Sequence, residues 1–163
     1  MNLMGKPGFP FAIALTGGLA LAAGGVLMAH MFNLAACPLC IIQRMLYMLL
    51  AVAGGLGLLL ATRPAGRVFA ALLLTAIAAT GACVAGYQVW IQRFAPTVSC
   101  AGKMPWWEAF VEWAGRQAPL LFQPSGLCSD PAWKLLGLSI AEWSLACFVG
   151  FVLLGMYALS RNR

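Results

Sequence analysis

The chain has 163 residues, of which 63% are hydrophobic and only 9% charged, and its mean hydropathy is +0.89. That length allows one domain, but the composition does not suit a water-soluble core. The formal charge of +6 reports membrane topology, as the positions of the charges show, and gives no argument for nucleic-acid binding.

Four stretches are long and apolar enough to cross a bilayer as helices, which takes roughly 20 residues. They lie at about 11–31, 41–61, 68–90 and 142–160. The expected architecture is an all-α membrane protein: a four-transmembrane-helix bundle forming one domain over 1–163, with a long outer loop at about 91–141. Pro10 precedes the first span, and His30 lies near its outer end, where an interfacial or capping role is expected alongside a lesser one in proton movement. Lys6, the apolar run and Leu34-Ala35-Ala36-Cys37 also resemble a lipoprotein signal. A signal h-region is only about 7–15 residues long, however. This run is a full span, and another follows it directly.

Between the first two spans stands Cys37-Pro38-Leu39-Cys40. A Cys-x-x-Cys closes a small disulfide or supplies half of a metal site. The lone histidine is His30, and Cys100 and Cys128 do not form a second Cys-x-x-Cys, so zinc has little support and no metal site is expected. Pro38 suits the first turn of a helix, which puts Cys37 near the N-cap and Cys40 in the first turn, at the positive end of the helix dipole. Arg44 lies one turn further along the same face. A permanent charge roughly 5 Å from the sulfur, at an effective dielectric near 20, favours a Cys40 thiolate by about 3 kcal/mol. The alternative for Arg44 is snorkelling to lipid headgroups.

Arg63-Pro64-Ala65-Gly66-Arg67 separates the second and third spans. The N-terminal tail, this turn and the C-terminal tail hold Lys6, Arg63, Arg67, Arg161 and Arg163 with no acid among them, whereas Arg93, Lys103, Arg116 and Lys134 of the long loop are cancelled by Glu108, Glu112, Asp130 and, at its boundary, Glu142. Both termini are therefore expected on the cytoplasmic side. Cys37, Cys40, Cys100 and Cys128 then face the oxidising compartment. Cys83 and Cys147 fall inside spans and read as small apolar residues. The spans are rich in Gly and Ala, which lets helices approach closely.

In the long loop, a Cys100–Cys128 bridge would close about thirty residues and stabilise them by about 3–4 kcal/mol, so a purely structural staple is one reading. After Pro105, Trp106, Trp107, Phe110 and Trp113 recur at helical spacing. They predict a short interfacial helix that holds the loop against the membrane. Such a tether could bring Cys100 or Cys128 to Cys37–Cys40 for thiol–disulfide exchange, which needs direct sulfur-to-sulfur attack. Pro96 before Cys100, and Pro124 and Gly126 before Cys128, supply turns.

Taken together, the four-span plan, the run Cys37-Pro38-Leu39-Cys40-Ile41-Ile42-Gln43-Arg44, the paired loop cysteines, and Gly126-Leu127-Cys128 followed by Trp133 and Leu136-Gly137-Leu138 resemble the bacterial disulfide bond formation protein B (DsbB) family over nearly the whole chain. The resemblance implies an inner-membrane enzyme that reoxidises a periplasmic thioredoxin-fold dithiol oxidase (DsbA-type) and passes two electrons to a membrane quinone, ubiquinone or menaquinone. It implies that Cys100 forms the mixed disulfide with the partner and that Cys128 is its bridge mate. It also implies that electrons then reach Cys37–Cys40, that Cys40 is the thiolate meeting the quinone, and that Arg44 stabilises both thiolate and reduced quinone oxygen. Two positions depart from the family pattern. Gln43 stands where some members carry Glu, and Gln88 where some carry His. Gln88 can donate a hydrogen bond to a quinone carbonyl but cannot shuttle protons, and a plain helix-to-helix hydrogen bond is its alternative. Gln92, a turn later, reads as interfacial. Two other function classes stay open: a membrane protein with structural loop disulfides, and a thiol reductase running in the opposite direction.

Overall fold

The computed structural model describes residues 8–94, 106–129 and 133–161. Lys6, Pro96, Pro105 and Arg163 lie outside the described residues. The element order is α1 (Phe9–Met31), α2 (Pro38–Leu59), α3 (Pro64–Phe94), α4 (Trp106–Gln117), α5 (Pro119–Phe122), β1 (Lys134–Leu135), β2 (Leu138–Ser139) and α6 (Ile140–Ser160). The helices α1, α2, α3 and α6 are each long and apolar enough to span a membrane, so the chain is an all-α multi-pass membrane protein.

Three spans start a few residues earlier than hydropathy alone places them, because proline opens them. Pro10 and Pro38 sit in the first turns of α1 and α2, and Pro64 is the first residue of α3. A proline there loses no helical hydrogen bond and presets φ. The helix α3 also runs past the apolar segment at both ends, through Arg67 and Arg93. At the start of α6, Ser139 and Glu142 form a reciprocal capping box, and Glu142 is also ion-paired with Arg93 of α3. The loop thus ends on a clamp between two spans.

Small residues set the helix spacing. A Cβ on Gly54 of α2 would come within 2.5 Å of the Leu15 backbone nitrogen and 2.7 Å of the Phe11 carbonyl oxygen of α1. Gly81 of α3 lies directly on the Phe148 ring of α6. These close approaches pair α1 with α2 and α3 with α6, and α2 joins the two pairs by packing on α3. Phe11, Leu50, Leu74 and Phe148 fill the centre and are fully buried. Tyr47 stacks on Phe148 with ring centroids 4.3 Å apart, and its hydroxyl shares a 2.7 Å hydrogen bond with Ser144 Oγ.

The interfacial helix forms as expected, with a refinement. Trp106, Phe110 and Trp113 share the exposed face of α4, whereas Trp107 packs inward against Cys37, Leu39 and Ile91. Val111 and Ala114, one turn and two turns beyond Trp107, are buried with it. The short α5 and the antiparallel β1–β2 hairpin have no counterpart in the hydropathy pattern. The hairpin turns on Leu136 (φ 54°) and Gly137 (φ 83°), two consecutive left-handed residues of the kind tight hairpins require.

Candidate functional site

The site begins at the N-terminus of α2. Cys37 is its N-cap, with extended backbone, and its sulfur accepts the Cys40 backbone N–H at 3.3 Å. The cap brings the two sulfurs to 2.8 Å. Cys37 is buried and Cys40 partly so.

Gln88 reaches both sulfurs from α3. Its Nε2 donates to Cys37 Sγ and to Cys40 Sγ, at 3.2 Å each, and its Oε1 accepts from Gln43 Nε2 of α2 at 2.7 Å. Gln88 thus makes the helix-to-helix hydrogen bond that is its alternative role, and its NH2 is directed at the cysteine sulfurs. In the sequence Gln43 stands out only as a departure from the family pattern. The signal that could have singled it out is an amide inside an apolar span, three residues after Cys40, where a polar group is costly without a partner.

Arg44 does not snorkel. It is only 8% exposed, and its guanidinium donates to the carbonyl of Leu121 in α5 and, at 3.1 Å, to that of Gly25 in α1. It ties the long loop and the first span to α2. His30 makes a parallel link, its Nε2 lying 3.2 Å from the Leu120 carbonyl oxygen.

Cys128 comes to the pair from the loop. Ser125 N and Gly126 N both donate to the Ala36 carbonyl oxygen, at 2.8 and 3.2 Å, so the 125–128 segment lies along the residues that lead into Cys37. Cys128 packs in the same small cluster as Cys37, Leu39 and Ile91. The hydrogen bond shared with Cys128, then that with Cys40, then burial push the Cys37 thiol well up. The same bond from Cys37 pulls Cys128 below the usual thiol range; burial opposes this, and the Leu39 backbone N–H assists it. Cys37 is thus the proton-holding partner and Cys128 the one favoured as thiolate. Cys100 lies outside the described residues.

Beside these groups is a cavity of about 340 Å³, within the size range of small-molecule sites. Cys40, Arg44, Gln88 and Gln92 give its wall polar points, and α1 and α6 contribute mostly apolar walls, among them Leu21, Met28 and Ile140. Gln92 is thereby a cavity residue as well as one near the helix end. Cys147 also lines this cavity, whereas Cys83 is exposed on the flank of α3.

A buried Cys-x-x-Cys at a helix start, backed by an arginine and approached by a loop cysteine, agrees with the sequence comparison. The model of the family described as Disulfide bond formation protein DsbB matches residues 8–158. The chain belongs to the DsbB family. Among its relatives, Disulfide bond formation protein B of Dechloromonas aromatica is 40% identical, the match covering 87% of this chain and 86% of the relative. Disulfide bond formation protein B of Polaromonas naphthalenivorans is 33% identical over 100% of this chain and 99% of its own length. Disulfide bond formation protein B 1 of Pseudomonas fluorescens (strain Pf0-1) is 39% identical over 89% and 85%. Membership in the DsbB family makes the chain a membrane oxidoreductase of disulfide bond formation.

Proposed function

We propose that this chain is a thiol:quinone oxidoreductase of the bacterial inner membrane that reoxidises a periplasmic, DsbA-type dithiol oxidase. It works as a single four-helix domain with both termini cytoplasmic and the cysteine-bearing segments periplasmic. The observation that carries the reading is the meeting of Cys128 from the loop with Cys37 of the α2 cap, beside a cavity lined by Cys40, Arg44 and Gln88.

In this reading the oxidised Cys100–Cys128 pair receives the partner's electrons. A partner thiolate attacks Cys100 and Cys128 leaves as a thiolate. The partner's second thiol then resolves the mixed disulfide, which oxidises the partner and reduces both loop cysteines. Cys128 next attacks Cys37 of the Cys37–Cys40 disulfide. The Cys37–Cys128 bond forms, the Cys37–Cys40 bond breaks, and Cys40 leaves as the thiolate. Attack of Cys100 on Cys128 re-forms the loop disulfide and releases Cys37 as the second reduced cysteine.

The donor set fits a quinone, ubiquinone or menaquinone. Arg44 and the amide of Gln92 are donors suited to carbonyl oxygens, and the apolar walls suit a ring and its hydrocarbon tail. Bound there, a quinone supplies an acceptor for the two electrons and two protons of the reduced pair. Arg44, held on the Leu121 and Gly25 carbonyls, keeps a permanent positive charge beside the site. Gln88 donates to both sulfurs and favours the charged form of the pair.

The test is anaerobic turnover of the purified protein in detergent, with a reduced dithiol oxidase and a soluble quinone analogue, read as quinone absorbance. Quinone reduction by the wild type that is lost in Cys40→Ser is expected. Wild-type rates in Cys40→Ser would overturn the mechanism.

A further inference from the structure

Gln88 can present either end of its amide to the cysteine sulfurs, and the two ends have opposite effects. The NH2 end stabilises a thiolate, and the carbonyl end repels one. The side chain of Gln88 has no preference of its own. What selects the orientation is its far end, where Oε1 accepts from Gln43 Nε2 at 2.7 Å. Arg44, the neighbouring donor, is committed to the Leu121 and Gly25 carbonyls. Gln43 and Gln88 are 4% and 2% exposed, so bulk water does not compete for the bond.

We infer that Gln43 is a positioning residue of the cysteine pair: its amide donates to Gln88 Oε1, so that the Gln88 NH2 faces the Cys37 and Cys40 sulfurs. The inference rests on the reading of Cys37–Cys40 as the redox centre. It adds a residue that touches neither sulfur yet sets how readily the reduced pair holds negative charge. Among the described residues, the titratable and charged groups around the two amides are Cys37, Cys40, Arg44 and Tyr47, with Cys128 from the loop, Cys147 from α6, and Glu108 of α4 acting on Cys128. Among these, Arg44 alone carries a permanent positive charge. The amide pair therefore acts beside Arg44 as a second, uncharged source of thiolate stabilisation.

The chemistry of position 43 makes the inference testable. Gln43→Leu removes the donor without adding charge. Gln43→Glu, when ionised, offers only acceptors, so Gln88 must turn its NH2 toward residue 43 and its carbonyl toward the sulfurs. When protonated, the introduced carboxyl group donates again and restores the native arrangement.

The measurement is the rate of Cys40 alkylation by iodoacetamide in the fully reduced, quinone-free full-length protein as a function of pH, followed by peptide mass spectrometry. Gln43→Leu is expected to move the midpoint upward and slow alkylation at neutral pH by about tenfold, one pKa unit. Gln43→Glu is expected to move it further. In a Gln88→Leu background, Gln43→Leu should have no additional effect, because the relay is already cut. An equal effect of Gln43→Leu with and without Gln88, or no effect in either, overturns the inference. Circular dichroism of the same samples monitors general unfolding. Since no quinone is present, failure here is distinct from failure of quinone turnover, which the preceding assay reads.

Discussion

Gly126 is seated on Ala35: a Cβ at position 126 would come within 2.5 Å of the Ala35 carbonyl oxygen. Two positions on, Cys128 shares a hydrogen bond with Cys37, so this close approach of backbones decides whether the loop thiol reaches the buried pair. In Gly126→Ala the neighbouring backbone must shift, and overpacking of this kind costs about 1–3 kcal/mol. The expected result is a drop of about tenfold or more in partner-coupled turnover. In a Cys40→Ser, Cys100→Ser background, oxidative trapping of a Cys37–Cys128 disulfide should fall in parallel. Trapping at the unsubstituted yield would show that the loop docks without this seat.

Arg44→Lys keeps the charge and loses the planar fork. A lysine cannot reproduce the guanidinium's reach to both the Leu121 and Gly25 carbonyls. Hydrogen bonds to charged groups are worth about 1.5–3 kcal/mol, so quinone KM should rise by about tenfold in Arg44→Lys and further in Arg44→Ala. Circular dichroism should show the helices retained. Unchanged quinone kinetics in both would separate Arg44 from the acceptor site.

Cys37 and Cys128 share one hydrogen bond, and its loss has a defined sign. Cys128 is held below the usual thiol range by the bond from Cys37 and by the Leu39 N–H. In Cys37→Ala the first of these is gone, so Cys128 titrates at higher pH. The pH midpoint for Cys128 alkylation in the reduced protein should therefore move upward, and its rate below that midpoint should fall. A midpoint that stays in place would show that Leu39 alone holds the thiolate.

Leu136 occupies a left-handed backbone position, φ 54°, and is 85% exposed. A side chain with a Cβ costs roughly 1–2 kcal/mol there, and asparagine tolerates the conformation better. Leu136→Asn should raise thermal stability in detergent by about 0.5–1 kcal/mol without changing turnover. A fall in melting temperature would show that the leucine makes contacts that offset its strain.

Hydropathy, proline positions and cysteine spacing were enough to determine the spans, the α2 cap and the interfacial helix, and to single out Cys37, Cys40 and Arg44 as candidates. Those features are local: a bilayer demands about 20 apolar residues per helix, and a Pro after a capping residue starts a helix wherever it stands. The family resemblance implied the pairing of roles between the two cysteine sets. Tertiary structure decided what distant segments bring together. The Gln43–Gln88 bond joins α2 to α3, the Arg44 fork joins α2 to α5 and α1, and Ser125 and Gly126 lay the loop on Ala36. Spacing along the chain carries no information about such contacts, because they depend on how α1, α2, α3 and the loop pack against one another. A buried arginine and a snorkelling one have the same sequence. Only the placement of two carbonyls within its reach made Arg44 the former.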